Sequence, residues 1–164
     1  MKSVDYMAVA EAAIKKIKRG ALLTVRAGYR LNTMTIVWAT IGFCWRKPVF
    51  MVAVRDSRHT FTIIEDAEDY TVSVPAGNMK EEIVYCGTKS GRDGDKFAAC
   101  GLKTVPGQKV ASPVIDVPGI HIECRIVFKS AMDPVHLSAD YASLYPEKDY
   151  HTLYFGEIVA CYET

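Results

Sequence analysis

The chain has 164 residues, nearly half of them hydrophobic, and its 20 basic residues almost balance its 19 acidic ones. That length supports one compact domain, so we expect residues 1–164 to share a single core. The balanced charge argues against nonspecific nucleic-acid binding, for which a domain is usually strongly basic. Five cysteines without a CxxC pair argue against a disulfide framework or a zinc site, and no apolar run is long enough for a signal peptide or a membrane span. We therefore expect a cytoplasmic protein without metal, nucleic-acid partner or membrane partner.

The first twenty residues have the pattern of an amphipathic helix. Apolar residues recur at helical spacing from Met7 to Ile17, with lysines between them. Ser3 is the expected cap at the start, and Gly20 the expected end of the last turn. The basic face of this helix is expected to be solvated.

Six later runs are rich in Val, Ile, Thr, Tyr and Phe, as strands are. They read ALLTVR, LNTMTIVWA, VFMVAVR, YTVSVP, GIHIECRIVF and LYFGEIVACY. In the fifth, alternate residues from Ile120 to Phe128 are apolar, which predicts that they share one face. Short helical inserts are expected near 60–67 and 79–100. Because a βαβ rhythm is missing, we expect a mainly β, closed or half-closed antiparallel barrel.

The segment RDSRHT follows one predicted strand and starts one predicted helix. Arg55 and Arg58 supply guanidinium groups there, and Ser57 and Thr60 supply hydroxyls. These groups, with the free N–H groups of a helix start, suit a phosphate. The alternative is an ordinary polar loop in which Ser57 or Thr60 caps the helix.

The segment CGTKSGRDGDKF is a second candidate anion site. Its three glycines allow backbone N–H groups to approach a ligand, and Ser90, Arg92 and Lys96 add donors. It matches neither the Walker loop nor the GxGxxG pattern. The alternative is a glycine-rich turn before a helix that Asp95 caps.

The segment NTMTIVW is a third candidate. Asn32, Thr33, Met34 and Thr35 can present amide, hydroxyl and thioether groups to a flat heteroaromatic ring. The alternative is a normal strand whose threonines reflect β-propensity. The four histidines show no metal-binding spacing.

Taken in this order, the three segments resemble the flavin reductase-like family, the FMN-binding split barrels, and most of all its flavoredoxin-like branch. The resemblance extends over nearly the whole chain, through YTVSVP, SPVIDVPGIHIECRI and HTLYFGEIVA, and SGRxxDKF after CG is its most specific element. It implies a six-stranded antiparallel Greek-key split barrel with an N-terminal helix and short inserted helices. It also implies a homodimer with one FMN per subunit near the interface.

The resemblance assigns roles to individual residues. Those expected around the FMN phosphate are Arg55, Ser57, Arg58, His59 and Thr60. Those expected to close over the phosphate and ribityl chain are Ser90, Gly91 and Lys96, with Cys86 beside them. Those expected to line the isoalloxazine ring are Asn32, Thr33, Met34 and Thr35. His151, in HTLYFGEI, is expected on the nicotinamide side as the one candidate catalytic residue.

The resemblance leaves three functions open. The first is an NAD(P)H:flavin oxidoreductase, in which hydride passes from NADH or NADPH to flavin N5 and electrons go on to free flavin or a redox protein. The second is an electron carrier that holds FMN without using a nicotinamide. The third is a flavin-binding fold without redox function. No dedicated nicotinamide motif separates them.

Overall fold

The computed structural model describes residues 2–164, which form ten strands and four α-helices. The strands are β1 (Lys2–Ser3), β2 (Ala21–Ala27), β3 (Arg30–Ile36), β4 (Ala39–Cys44), β5 (Lys47–Arg55), β6 (Asp69–Pro75), β7 (Thr104–Val105), β8 (Val114–Ile115), β9 (Gly119–Ala131) and β10 (His151–Glu163). The helices are α1 (Tyr6–Ile17), α2 (His59–Ile64), α3 (Lys80–Thr88) and α4 (Lys96–Cys100), and two 3₁₀ helices span Pro134–His136 and Ala139–Leu144. None of the helices in residues 2–164 combines the length and apolar character that a bilayer span requires.

The main sheet is antiparallel, which confirms the predicted fold class. Its order is β3-β2-β6-β9-β10-β5-β4, and β1 pairs with β10. It has eight strands instead of the expected six because β1 and β4 are added; the predicted run 31–39 leaves β3 at Ile36, and β4 begins at its last residue, Ala39. These two strands are consecutive in the chain yet lie at opposite ends of the sheet order, so the curved sheet nearly closes there. The amide of Ala53 donates to the carbonyl of Trp38 at 3.3 Å, which extends the pairing of β5 with the β4 side by one residue toward β3.

Helix α1 packs Val9, Ala13 and Ile17 on the barrel core, as its spacing predicts. The prediction that Ser3 caps this helix is wrong. Ser3 pairs with Tyr162 in the sheet, and the carboxylate of Asp5 accepts from the amide of Met7 at 2.7 Å instead. The acidic cap is favourable because it also lies at the positive end of the helix.

The alternation predicted for β9 holds only in its first half. Ile120, Ile122 and Cys124 are buried in the core, whereas Phe128 is half exposed. The reason is a β-bulge. Ile126 and Phe128 pair with two adjacent residues of β10, so Val127 is an extra residue in β9 and every residue after it faces the other side of the sheet. The prediction of a single apolar face up to Phe128 is therefore wrong.

Strand β3 separates two layers of the molecule. Met34 lies opposite Leu23 and faces the barrel core. Thr33 lies opposite Thr24 and faces the other side, where α3 and α4 cover the sheet with a second cluster that includes Cys86. Successive β3 residues therefore belong to different layers.

Candidate functional site

Two adjoining cavities lie where β3, the β5–α2 turn and the α3–α4 loop meet. The first, of about 130 Å³, is lined by Asn32, Met34, Ser57, Arg58, His59, Thr60, Cys86, Gly87, Thr88, Lys89, Ser90, Gly91, Arg92 and Lys96. The second, of about 180 Å³, is lined by Met34, Thr35, Ile36, Val37, Trp38, Ala53, Arg55, Arg58 and His151. Met34 and Arg58 belong to both, and only together do the cavities reach the roughly 300–1,000 Å³ typical of sites for medium-sized ligands. We call them the donor cavity and the ring cavity.

Two of the hydroxyl groups in the donor cavity keep their hydrogens for a ligand, whereas those of Ser57 and Thr88 donate to Asp149 and Val84. Thr60 Oγ1 accepts from Asn32 Nδ2 at 2.8 Å, so its own O–H is free to donate. Ser90 Oγ accepts from the Arg92 amide at 3.1 Å, so the Ser90 O–H is also free to donate. Both groups therefore present donors to whatever enters the cavity.

Lys96 supplies a buried cation to the same cavity. Its side chain is only 5% exposed, and Nζ donates to the carbonyls of Thr33 at 3.0 Å and Cys86 at 2.8 Å. An ammonium group has three N–H donors, so one remains. Burial, and secondarily the charge of Arg58, lowers the pKa of Lys96. A negative ligand would favour the charged form of Lys96 and would be bound by it in return.

His59 carries an unpartnered polar atom beside these donors. Its Nδ1 is buried and, within the described chain, has no hydrogen-bond partner. Burial, and then the charges of Arg92 and Lys96, lowers the pKa of His59. Buried polar atoms are rarely left without a partner. The unsatisfied ring nitrogen is therefore a mark of a site whose partner is a ligand.

Gly91 is required where the α3–α4 loop crosses this cavity. A Cβ on Gly91 would overlap Asn32 Oδ1 and come within 2.8 Å of His59 Cδ2. Any larger residue would push these two side chains out of place.

No carboxylate lines the donor cavity, whereas four cationic side chains do: Arg58, Lys89, Arg92 and Lys96. The guanidinium of Arg58 makes one hydrogen bond to the protein there, from Nη1 to the carbonyl of Gly87 at 3.2 Å. Arg92 likewise donates to the carbonyl of Ser57 at 3.1 Å. A cavity lined with cations and free donors is suited to an anion such as a phosphate.

Arg55 lies apart from this set. It donates to the carbonyls of Asp149 at 2.7 Å and Leu144 at 3.1 Å, and its guanidinium stands 5.1 Å from the ring centre of Tyr145. Ser57 Oγ also donates to the Asp149 carboxylate, at 2.7 Å. Arg55 thus holds the segment before β10 and lines only the ring cavity.

The four β3 residues predicted at the ring divide between the two layers. Asn32 and Met34 reach the donor cavity, and Met34 and Thr35 line the ring cavity. Thr33 lines neither; its Oγ1 donates to the carbonyl of Leu23 at 3.1 Å, and only its own carbonyl takes part, by holding Lys96. Alternation places Thr33 on the α3–α4 side of β3, where it is fully buried; Thr35 is on the same side but nearer the end of the strand, and it reaches the ring cavity.

His151 stands at the far side of the ring cavity. Its Nδ1 lies 2.9 Å from the hydroxyl of Tyr145, and its ring centre lies 4.8 Å from that of Trp38. Burial, followed by the charge of Arg55, lowers the pKa of His151 to about 4. The imidazole is therefore neutral at pH 7, and the bond at Nδ1 leaves Nε2 as its second polar atom.

The helix starts on either side of the donor cavity decide between the structural alternatives considered for the two loops. No side chain caps α2, whose N-cap residue is Arg58, so neither Ser57 nor Thr60 serves that purpose. Asp95 does cap α4, accepting from the amide of Phe97 at 2.8 Å. The cap at α4 is compatible with an anion site because Asp95 does not line the cavity.

Sequence reasoning missed two residues that shape the ring cavity from outside. Tyr145 bonds His151, and Asp149 binds both Arg55 and Ser57. Both belong to a stretch without regular periodicity, and Asp149 is 94 residues from Arg55 along the chain. No local sequence signal predicts such a contact.

Comparison with known proteins gives matches over most of the chain. Residues 18–164 match the profile of the flavin reductase like domain. Proteins of Archaeoglobus fulgidus and Pyrococcus abyssi, both without an assigned function, are 27% and 28% identical over 78% and 81% of this chain. The chain spans only 63% and 66% of the length of these two curated relatives.

Two solved structures illustrate the structural similarity. The flavoredoxin of Desulfovibrio vulgaris is 26% identical, with a TM-score of 0.70 over 88% of this chain and 69% of its own. The NADH:FAD oxidoreductase SgcE6 of Streptomyces globisporus is 16% identical, with a TM-score of 0.66 over 94% of this chain and 83% of its own, and it supports the fold alone.

Proposed function

The chain belongs to the flavin reductase-like family, and from that premise we propose that it binds FMN and acts as an NAD(P)H-dependent flavin oxidoreductase. The observation that carries the proposal is the donor cavity, whose free hydrogen-bond donors and four cations have no carboxylate among them. A terminal phosphate carries almost two negative charges and several acceptor oxygens, which match such a lining.

The residues present fit the separate parts of FMN. Arg58, Thr60, Ser90 and Lys96 would bind the phosphate, and the orphaned Nδ1 of His59 would gain a partner. The remaining residues predicted for the site would enclose the ribityl chain and the ring. These are Asn32, Met34, Thr35, Ser57, Cys86 and Gly91, with Thr33 acting through its carbonyl and Arg55 through the ring cavity.

Bound FMN would supply the two-electron redox chemistry, and the protein would supply orientation and polarity around it. Trp38 and His151 present an aromatic wall and a neutral imidazole to the ring cavity, on the side where a nicotinamide would approach. The Tyr145 hydroxyl fixes the orientation of the imidazole. Arg55 and Asp149 hold the segment before β10 beside the ring cavity. Electron acceptors of the reduced site would be free flavin or a redox protein.

An electron carrier without nicotinamide activity is the second candidate. It is favoured by the likeness to a flavoredoxin, the named solved relative with the higher identity. The flavin-binding residues would be the same in an oxidoreductase and in a carrier, so they do not distinguish the two functions. Reactivity with a nicotinamide distinguishes them.

The deciding experiment is an anaerobic visible spectrum of the FMN-loaded protein, first with NADH and then with NADPH. Bleaching of the oxidised flavin within seconds supports the oxidoreductase. Reduction by dithionite alone would support the carrier. Failure to bind FMN would refute both.

A homodimer is part of the proposal. Most of the exposed large hydrophobic side chains in residues 2–164 belong to β4 and its turn, to the second half of β9 and to the segment before β10. The rings of Trp45, Phe128 and Phe155 contact one another, with centroids 5.7–6.0 Å apart. Concentrated apolar surface of this kind marks an interaction site. We assign it to a second copy of this chain.

The proposed location is a reducing cytoplasm. All five cysteines carry free thiols, and three of them are buried. Burial raises the pKa of the Cys86 thiol to about 12, which keeps it protonated beside the donor cavity. Unpaired, protonated thiols are usual in a reducing compartment.

A further inference from the structure

A third and larger cavity, outside the proposed flavin site, lies between the end of α1 and the start of α3. Its volume is about 680 Å³, well within the range of roughly 300–1,000 Å³ found for ligand sites. It is lined by Lys16, Arg19, Gly20, Pro75, Ala76, Gly77, Asn78, Met79, Lys80, Ile83 and Val84. No residue predicted for flavin binding belongs to it.

The charged side chains of this cavity are all positive. Lys16, Arg19 and Lys80 line it, no carboxylate does, and none of the three forms an ion pair within residues 2–164. Lys15, one position away on α1, is by contrast paired with Glu11. Like charges gathered without counter-charges repel one another, and an anionic ligand removes that repulsion.

The rest of the lining is largely apolar. Pro75, Met79, Ile83 and Val84 form it, and the side chain of Val84 is 54% exposed. Such a surface suits a flat heteroaromatic group, whose burial would cover exposed hydrocarbon. The chemistry that fits the whole cavity is therefore a phosphorylated nucleoside: a base on the apolar wall and phosphates at the cations.

The cavity adjoins the ring cavity. Thr35 lines the ring cavity and donates through Oγ1 to the carbonyl of Ile83, which lines the third cavity, at 2.5 Å. Gly20 completes this contact: a Cβ there would overlap the Ile83 side chain and lie 3.3 Å from Thr35 Cγ2. The two cavities therefore meet at a boundary formed by Thr35 and Ile83, and a dinucleotide lying across this boundary would place one half at each cavity.

We propose that this cavity binds the adenosine 2′,5′-bisphosphate half of NADPH, while the nicotinamide half reaches the flavin ring at the open side of the ring cavity. Lys16, Arg19 and Lys80 hold the 2′-phosphate, and NADPH is therefore the preferred donor over NADH, which lacks that group. This assignment rests on the proposed oxidoreductase function and names its electron donor.

The test is isothermal titration of the FMN-loaded protein with 2′,5′-ADP and with 5′-AMP, which needs no turnover. The wild type binds 2′,5′-ADP more tightly. Arg19→Ala and Lys80→Ala each weaken 2′,5′-ADP binding about tenfold or more, the effect of one charge-assisted bond, without changing FMN affinity. Lys15→Ala, on the same helix but outside the cavity, is the matched control and changes neither.

A kinetic readout accompanies the titration: Arg19→Ala lowers the ratio of kcat/KM for NADPH to that for NADH by a similar factor. Equal binding of 2′,5′-ADP and 5′-AMP overturns the inference, as do Arg19→Ala and Lys80→Ala variants that behave like Lys15→Ala. Circular dichroism of each variant shows that it is folded. A wild-type protein that binds no FMN refutes the proposed function itself, so the two failures are distinct.

Discussion

Two arginines three positions apart make the sharpest test of the donor cavity. Arg58 makes one hydrogen bond to the protein, with the carbonyl of Gly87, and its remaining N–H groups are available to a ligand. Arg55 is held by two carbonyls and lies 3.7 Å from the Asp149 carboxylate. Replacing each by alanine removes one positive charge from the same turn. The comparison therefore distinguishes a residue that binds the ligand from one that holds the protein structure around it.

The expected loss for Arg58→Ala follows from a charge-assisted hydrogen bond, about 1.5–3 kcal/mol, or roughly a 10- to 150-fold rise in the Kd for FMN. Riboflavin lacks the phosphate, so its Kd should change little. The free energy of unfolding should also change little, because the Arg58 side chain is exposed and has one weak contact. Arg55→Ala should instead lower the melting temperature and weaken FMN and riboflavin by similar factors.

The assay is fluorescence titration of the flavin-free protein with FMN and with riboflavin, for the wild type and both variants. The ratio of the two Kd values measures the contribution of the phosphate to binding, because any general disturbance of the fold affects both ligands. If Arg58→Ala weakened FMN and riboflavin equally, the donor cavity would not be the phosphate site.

Three further predictions follow from buried or exposed single residues. Lys96→Met should reduce the free energy of unfolding of the flavin-free protein by at least about 2 kcal/mol in urea, because two carbonyls lose their donor, whereas Lys89→Met on the exposed loop should not. Burial gives His151 a folded-state pKa of about 4, below the value of 6.5 for a free side chain. Its stabilising effect is therefore complete above pH 6.5 and is lost as the pH falls toward 4. Between pH 7 and pH 5 the free energy of unfolding of the wild type should fall by about 2 kcal/mol more than that of His151→Gln. Trp45→Asn should shift a homodimer toward monomer in sedimentation equilibrium, since asparagine tolerates the φ of 52° there, and Tyr29→Asn at a distant exposed site should not.

Each of these has a result that would count against it. Equal stability losses for the two lysine variants would mean that the buried ammonium is replaceable by a hydrocarbon chain. Parallel pH profiles for the wild type and His151→Gln would show that the imidazole is not desolvated. A dimer unaffected by Trp45→Asn, or a monomeric wild type, would remove the aromatic cluster from the proposed interface.

Much of the fold could be predicted because its signals are local. Runs of β-branched and aromatic residues marked six strands, and the helical spacing from Met7 to Ile17 marked α1. The convergence of polar groups from two loops was also predictable, since hydroxyls, glycines and cations within a few positions of one another need only a turn to converge; that they bind an anion stays a prediction. The ordered set of motifs then identified the family, whose domain profile matches residues 18–164.

The tertiary structure alone decided how those residues are used. It engaged Arg55 with Asp149, turned the side chain of Thr33 away from both cavities and changed the face of Phe128 through the bulge at Val127. It also brought α1 and α3 together around a cationic cavity whose lining residues are about sixty positions apart. Sequence spacing fixes which groups are neighbours along the chain, but hydrogen-bond partners, strand register and electrostatic neighbours depend on distances in space. Those distances exist only once the sheet has closed and the helices have packed on it.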